Sequence, residues 1–174
     1  PHQGFVVVTD GASPIPTYLA DKVQGVETVG KNTSLNLEAI ARLKPDLILG
    51  SQLRVDKQYD QLSAIAPTVF SIRPGFPWKE NFRLIGAALG EETKAVGALN
   101  TYADNARALG AKFTGQKPTI SLVRFMPNRL RLYGNKSLIG VILQDAGLPR
   151  AGILGVDALT TDNTILAGYA SQQQ

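Results

Sequence analysis

The chain has 174 residues, 44% of them hydrophobic, and a formal net charge of +4 with a sequence pI near 9.4. Its length and apolar content suffice for a packed core, which excludes a disordered polar chain and favours a globular α/β protein. Cysteine is absent, which excludes disulfides and thiolate chemistry, and no apolar run approaches the roughly 20 residues of a membrane-spanning helix. The sequence starts at Pro1 without a signal peptide, so an exported protein is expected here in a mature or trimmed form.

Short elements open the chain. Residues 5–8 are a candidate strand, a helical turn is expected around residues 18–21, and residues 26–29 are a second candidate strand. Glycine and proline residues separate the first strand from the helical turn and interrupt regular structure. This start is typical of an α/β protein with short connections.

A helix with clear start and stop signals follows. The side-chain oxygen of Ser34 or Asn36 can cap its first turn, where the carboxylate of Glu38 complements the helix dipole. Pro45 ends the helix near Leu43, because proline disfavours a helical conformation in the residue before it.

Two parallel strands are predicted next, each followed by an arginine. Residues 46–49 form an apolar run closed by glycine, which is typical of a strand buried on both faces, and residues 68–72 form the second strand after a helix at 56–65. Arg54 follows the first strand and Arg73 the second. Because ligands bind at the carboxyl ends of the strands in open α/β sheets, we expect both arginines at one functional edge.

The second half of the chain contains the longest predicted helix. A helix at 79–89 precedes one at 91–113, which would span roughly 33 Å at 1.5 Å per residue. Glycine and proline at 115–118 mark a boundary. Beyond it we predict a strand at 119–125, a turn at 127–128, a strand at 130–133 and a helix at 137–145.

Four blocks of the sequence carry a family resemblance. They are N-L-E-A-I-A-R-L-K-P-D-L-I-L-G at 36–50 and the segments at 59–69, 78–82 and 123–127. In this order they resemble the class III extracytoplasmic binding proteins that deliver ferric siderophores, haem or cobalamin to ABC importers. The ferric-siderophore branch is the most similar, and the resemblance covers roughly residues 26–150.

The resemblance implies an α/β fold of Rossmann-like lobes joined by a long interlobe helix. On this basis we assign residues 1–90 to the N-terminal lobe, completed by 151–174, residues 91–117 to the interlobe helix, and 118–150 to a partial C-terminal lobe. The second lobe is thus expected to be incomplete.

The last segment suggests a rearranged order. A strand at 152–156 and a helix at 157–167 look similar to the family's opening unit, which belongs before Pro1. We therefore hypothesise a circularly permuted chain or a fragment, which requires residues 153–156 to pair in the sheet of 46–49. The alternative is a divergent second lobe that contains its own strand–helix unit.

A ferric siderophore is expected to be an anion, so its recognition needs long cations and aromatic faces. The sequence supplies these groups at predicted strand ends on both lobes: Arg54, Arg73, Trp78, Arg124, Arg129, Arg131 and Tyr133. The resemblance implies a binding cleft between the lobes. It gives Arg54 and Arg124 the main role and makes Trp78 and Tyr133 the walls. Two alternatives stay open, because Trp78 can instead be a staple at a helix start and Arg131 can point to solvent.

The resemblance also implies partners and a location. Glu38 would pair with an arginine of an ABC importer permease, unless it is simply a first-turn helix glutamate. We expect a monomer in the periplasm or on the cell surface, lipid-anchored in the full precursor, with no intrinsic cofactor and no bound nucleic acid. Any iron would arrive already chelated, because His2 is the single histidine and the sequence has no metal-ligand motif.

Other functions remain alternatives at this stage. The same fold can bind haem or cobalamin. A nucleic-acid-binding domain would use the basic surplus between Lys117 and Arg150, with Arg129, Arg131 and Lys136 on phosphates, although aromatic residues are not interleaved with these cations. An enzyme is the third alternative, and the sequence contains no catalytic set.

Overall fold

The computed structural model describes residues 6–7, 17–22, 25–31, 34–127, 129–149 and 165–166. The chain forms two compact units, Pro1–Pro74 and Gly75–Gln174. No helix within these described ranges is both long and apolar enough to cross a membrane.

The first unit begins with two small strand pairs. Val6–Val7 (β1) pairs in parallel with Glu27–Thr28 (β2), and Gly30–Lys31 (β3) pairs antiparallel with Ser34–Leu35 (β4). A 3-10 helix spans Thr17–Lys22. The predicted early strands and helical turn are confirmed over these residues, whereas the hairpin of β3 and β4 was not predicted.

Helix α1 spans Leu37–Leu43 and has the predicted limits. Asn36 is its cap, because the Asn36 side chain accepts a hydrogen bond from the backbone N–H of Ala39 at 2.9 Å. Ser34 lies in β4 instead. Lys44 ends the helix in the left-handed conformation, with a φ of 48°.

The two predicted parallel strands are confirmed. Ile48–Ser51 (β5) pairs in parallel with Thr68–Ser71 (β6), with Ile48 opposite Thr68. A Cβ at Gly50 would lie 2.5 Å from the ring of Phe70, so a larger residue there would displace this ring. The core beneath these strands consists of residues from several elements: Val29, Ala39, Ile40 and Leu62, with Ile48 and Phe70 packed against them.

Two details of this region differ from the prediction. The helix expected at 56–65 is instead a 3-10 turn at Asp56–Gln58 followed by the short helix Tyr59–Ser63 (α3). A further short helix, Gln52–Val55 (α2), lies directly after β5 and was not predicted. Val55 is buried and leaves the helical conformation at φ −134°, which separates α2 from the rest. The expectation that β5 is buried on both faces is also wrong, because Leu49 is 41% exposed.

The second unit begins with two packed helices, Trp78–Ala88 (α4) and Glu92–Ala111 (α5). A Cβ on Gly86 would lie 2.5 Å from the Cβ of Ala95, so the two helices touch closely there. At 20 residues, α5 confirms the long helix. The unit boundary after Pro74 groups α4 with α5, whereas the sequence assigned residues up to 90 to the N-terminal lobe. The lobe assignment itself stays a prediction.

A small antiparallel sheet and one helix complete the second unit. Val123–Met126 (β7) pairs with Arg129–Leu132 (β8), and Leu138–Asp145 (α6) follows. Ser137 caps α6 by accepting a hydrogen bond from the backbone N–H of Gly140 at 3.0 Å. The hydrophobic cluster around this helix contains Leu143, Ala146 and Leu148, with Ile120 and Ile139 packed against it.

The end of the chain contradicts one prediction. Ile165–Leu166 (β9) is a strand that pairs antiparallel with β8, so the helix expected at 157–167 is wrong at these residues. An open strand edge outweighs a local helical pattern here, because pairing satisfies the backbone N–H and C=O groups. Residues 153–156 lie outside the described part of the chain, and the permutation therefore stays a prediction.

Candidate functional site

Two arginines follow the carboxyl ends of the parallel strands in the first unit. Arg54 lies exposed in α2 directly after β5, and Arg73 is half-buried after β6. The backbone N–H of Leu53 donates to the carbonyl oxygen of Ile72 at 3.1 Å, which keeps the two chain segments side by side beyond the sheet. The predicted convergence of both segments at one sheet edge is confirmed. Whether the two side chains bind a ligand stays a prediction.

A second group of predicted residues meets on the β7–β8 ribbon. Arg124 lies directly opposite Arg131 in the antiparallel register, and Tyr133 follows two residues later. The backbone N–H of Tyr133 donates to the carbonyl oxygen of Leu122 at 3.2 Å, which extends the pairing past β8. Since alternate residues of a strand share one face, these three side chains lie on the same face. We call Arg124, Arg131 and Tyr133 the arginine–tyrosine cluster.

The charges of this cluster act on the tyrosine. Hydrogen bonding to the Arg124 guanidinium is the largest cause that lowers the pKa of Tyr133 below its ordinary value. Burial opposes this effect, and Arg131 adds to it through a hydrogen bond and its charge. The Nε atom of Arg131 is buried and makes no hydrogen bond to any residue that the structure describes. The cluster therefore concentrates positive charge and N–H donors, which is the complement of an anionic oxygen ligand.

Two further cations were predicted near this cluster. Arg129 lies in β8 opposite Met126, and its side chain is not among those that the structure describes. Lys136 is exposed in the turn between Tyr133 and α6. Their part in ligand binding stays a prediction.

Trp78 belongs to a different cluster, at the start of α4. Its ring meets the ring of Tyr102 edge to face, with centroids 4.7 Å apart and an interplanar angle of 88°. Lys79 lies with its Nζ 5.8 Å from the Trp78 ring centroid and 2.7 Å from the Asp145 carboxylate. We call Trp78, Lys79, Tyr102 and Asp145 the helix clasp, because its members come from α4, α5 and α6. Packing against Tyr102 agrees with the helix-staple alternative for Trp78.

Sequence reasoning did not single out three members of the helix clasp. Tyr102 fits the apolar period of α5, and Lys79 occupies a common position for a lysine at the start of a helix, so neither residue pointed to a special contact. Asp145 carried the one usable signal, since it is the single acidic residue between Lys117 and Arg150. Burial, together with a hydrogen bond to Asp145 and the charge of its carboxylate, raises the pKa of Tyr102.

Glu38 is exposed in the first turn of α1, two residues after the Asn36 cap. This position fits both a docking residue and a helix-start glutamate, so the docking role stays a prediction. Among the residues that the structure describes, no three histidine, cysteine, aspartate or glutamate side chains form a group that could hold a metal ion.

The sequence model of the periplasmic binding protein family matches residues 2–153. The chain belongs to the periplasmic binding protein family. This confirms the resemblance noted from the sequence blocks. Members of this family are substrate-binding proteins.

Two relatives are similar to this periplasmic binding protein in sequence. A probable siderophore-binding lipoprotein of Bacillus subtilis is 41% identical over 134 residues, covering 76% of this chain and 41% of the relative. The achromobactin-binding periplasmic protein of Dickeya dadantii is 31% identical over 147 residues, covering 82% of this chain and 48% of the relative. The chain thus spans about half the length of the relatives it matches.

A solved structure is similar to this periplasmic binding protein in fold. The crystal structure of Staphylococcus aureus SirA complexed with staphyloferrin B matches 95% of this chain and 59% of that chain. The TM-score is 0.80 at 34% sequence identity. The predicted α/β fold class is therefore confirmed.

Proposed function

We propose that this periplasmic binding protein captures an iron(III)–siderophore complex noncovalently outside the cytoplasm and delivers it to an ABC importer. The observation that carries the proposal is the direct cross-strand pairing of Arg124 with Arg131, with the hydroxyl of Tyr133 hydrogen-bonded to them. Two relatives whose names specify siderophore or achromobactin binding, and a similar structure complexed with staphyloferrin B, support it.

The arginine–tyrosine cluster suits a chelate that presents negatively charged oxygens. A guanidinium group donates two parallel hydrogen bonds to a carboxylate, and such charge-assisted bonds are roughly twice as strong as neutral ones. A bound anion would also relieve the repulsion between Arg124 and Arg131. In the first unit, we propose Arg54 and Arg73 as further ligand contacts. The chelate carries the iron, so the protein needs no metal ligands of its own and no catalytic residues.

Trp78, the single tryptophan, gives the test a signal. Its fluorescence is followed while the chain is titrated with ferric staphyloferrin B, ferric achromobactin, haem and cobalamin. We expect saturable quenching by a ferric chelate. If haem or cobalamin quenches the fluorescence and no ferric chelate does, the ligand is haem or cobalamin and the proposal is wrong.

A pair of arginine variants locates the site. Arg124→Ala removes one donor of the arginine–tyrosine cluster, while Arg83→Ala removes an exposed arginine of α4 outside it. We expect the first variant to lose at least tenfold in affinity for the ferric chelate, and the control to bind like the parent. Equal affinities for both variants would remove the cluster from the site.

Glu38 is the proposed docking residue for the importer, with the protein acting as a monomer, either free in the periplasm or lipid-anchored. Glu38→Lys should weaken association with the importer and leave chelate affinity unchanged. Glu80→Lys is a matched control, because Glu80 also lies exposed in the first turn of a helix, α4. Loss of chelate binding in the Glu38 variant would contradict a pure docking role.

A further inference from the structure

Asp145 joins three helices through a single carboxylate. Its two oxygens each lie 2.7 Å from the Nζ of Lys79, and Oδ2 also accepts a hydrogen bond from the Tyr102 hydroxyl at 2.7 Å. The side chains of Lys79 and Asp145 are only 26% and 23% exposed. Because a half-buried ion pair with an added hydrogen bond is less screened by water than a surface pair, this carboxylate fixes the end of α6 against α4 and α5.

The ring contacts hold the same position. The ammonium group of Lys79 lies 5.8 Å from the ring centroid of Trp78 and 5.7 Å from that of Tyr102. One residue beyond Asp145, the carbonyl of Ala146 touches α5 at Gly110, where a Cβ would overlap the carbonyl oxygen. The C-terminal end of α6 is thus held by charge, by hydrogen bonding and by close backbone packing.

The other end of α6 is tied to the arginine–tyrosine cluster. The hydroxyl of Ser137 donates to the carbonyl oxygen of Gly134 at 2.6 Å and accepts from the backbone N–H of Gly140 at 3.0 Å. Gly140 packs so closely on Gly134 that a Cβ would overlap the Gly134 carbonyl oxygen. Since Tyr133 directly precedes Gly134, a shift of α6 moves the backbone that carries the tyrosine.

We propose that Asp145 is a positioning residue for the ligand site: by anchoring α6 to α4 and α5, it holds Tyr133 against Arg124 and Arg131. The part of this inference that concerns ligand affinity rests on the proposed function. The part that concerns the position of Tyr133 does not.

The state of Tyr133 provides a readout that a purely structural role would not move. Tyrosine ring resonances of the ligand-free chain are followed by NMR through an alkaline titration, and Tyr133→Phe assigns the signal. If Asp145→Asn releases α6, Tyr133 leaves the guanidinium groups and its pKa rises towards the ordinary value of a tyrosine. Loss of the negative charge alone would lower that pKa further, because fewer anions would then oppose the phenolate. The sign of the change therefore separates positioning from simple electrostatics.

Two other variants complete the design. Tyr102→Phe removes one hydrogen bond of the helix clasp and keeps the ion pair, so it should move the Tyr133 titration in the same direction by a smaller amount. If the Asp145 variant does not fold, Tyr102→Phe alone tests whether the helix clasp positions Tyr133. Glu91→Gln breaks an exposed pair with Lys94, 2.8 Å long, near the start of α5, and should leave Tyr133 unchanged.

Chelate affinity then tests the functional part. We expect Asp145→Asn to weaken binding of ferric staphyloferrin B about tenfold, which corresponds to roughly 1.4 kcal/mol. An unshifted or lowered pKa of Tyr133 in the Asp145 variant overturns the inference, even if the parent chain binds the chelate. A raised pKa with unchanged affinity also overturns the role in binding. If the parent binds no ferric chelate, the proposed function fails, while a raised pKa still establishes the positioning of Tyr133.

Discussion

Arg124 of β7 and Arg131 of β8 are direct cross-strand partners, so two guanidinium groups occupy neighbouring positions on one face of the ribbon. Like charges in this arrangement destabilise a strand pair. Hydrogen bonds to both groups lower the pKa of Tyr133 below its ordinary value. The ligand-free protein thus keeps an unfavourable pair of charges at the position where the proposed ligand brings an anion.

This relationship predicts that one arginine of the pair is dispensable for folding. Arg131→Gln should raise the free energy of unfolding of the ligand-free chain by about 0.2–1 kcal/mol, because it removes a like-charge pair. Urea denaturation measures the change. Arg83→Gln on α4 is the control and should leave stability within about 0.5 kcal/mol of the parent. A loss of stability in the Arg131 variant alone would show that its side chain stabilises the ribbon.

Alkaline pH should destabilise the protein through Tyr102. Its pKa is raised above the ordinary 10.0 by burial and by Asp145, so the folded state keeps the proton when the unfolded chain has lost it. The stabilising contribution is therefore complete below about pH 10 and is lost as pH rises towards the folded-state pKa. Tyr102→Phe should remove this part of the decline in unfolding midpoints measured from about pH 9 to 11. Tyr18→Phe is the control, since Tyr18 is 80% exposed; an equal effect of both variants would contradict the assignment.

Two glycines of the same helix, α5, should respond oppositely to alanine. Gly97 has open space where a Cβ would stand, so Gly97→Ala should stabilise the chain by about 0.5–1 kcal/mol through helix propensity. Gly110 contacts the backbone of Ala146, where a Cβ would overlap the carbonyl oxygen. Gly110→Ala should therefore lower the free energy of unfolding of the chain by about 1–3 kcal/mol or more. Chemical denaturation of the two variants side by side tests this. A stabilising Gly110→Ala would mean that α5 and α6 separate at little cost.

The start of α1 offers a matched pair of capping variants. Asn36→Ala should cost about 1 kcal/mol, because it removes the acceptor for the backbone N–H of Ala39. Ser34→Ala should have little effect, since Ser34 is exposed in β4 and does not cap the helix. Thermal unfolding midpoints compare the two. If Ser34→Ala were the more damaging change, the cap would have been assigned to the wrong residue.

Local signals predicted much of the fold correctly. Pro45 set the end of α1, and the apolar run before Gly50 predicted β5, although the strand spans Ile48–Ser51 and includes that glycine. The apolar period predicted the long helix α5 within about two residues, the usual uncertainty of helix ends. The same signals failed where a buried residue or a distant partner decided the conformation. A 3-10 turn at Asp56–Gln58, directly after the buried Val55, replaces the start of the helix expected at 56–65. Pairing with β8 makes Ile165–Leu166 a strand.

The sequence by itself determined the family, the parallel strands β5 and β6, and the residues that follow their carboxyl ends, because these depend on neighbours in the chain. It also named Arg124, Arg131 and Tyr133 as candidates. Only the tertiary structure decided that Arg124 and Arg131 lie directly opposite each other, since strand register fixes which side chains meet. It likewise joined Lys79, Tyr102 and Asp145, whose positions span 66 residues of sequence. Contacts at such separations arise from helix packing, which no local pattern specifies.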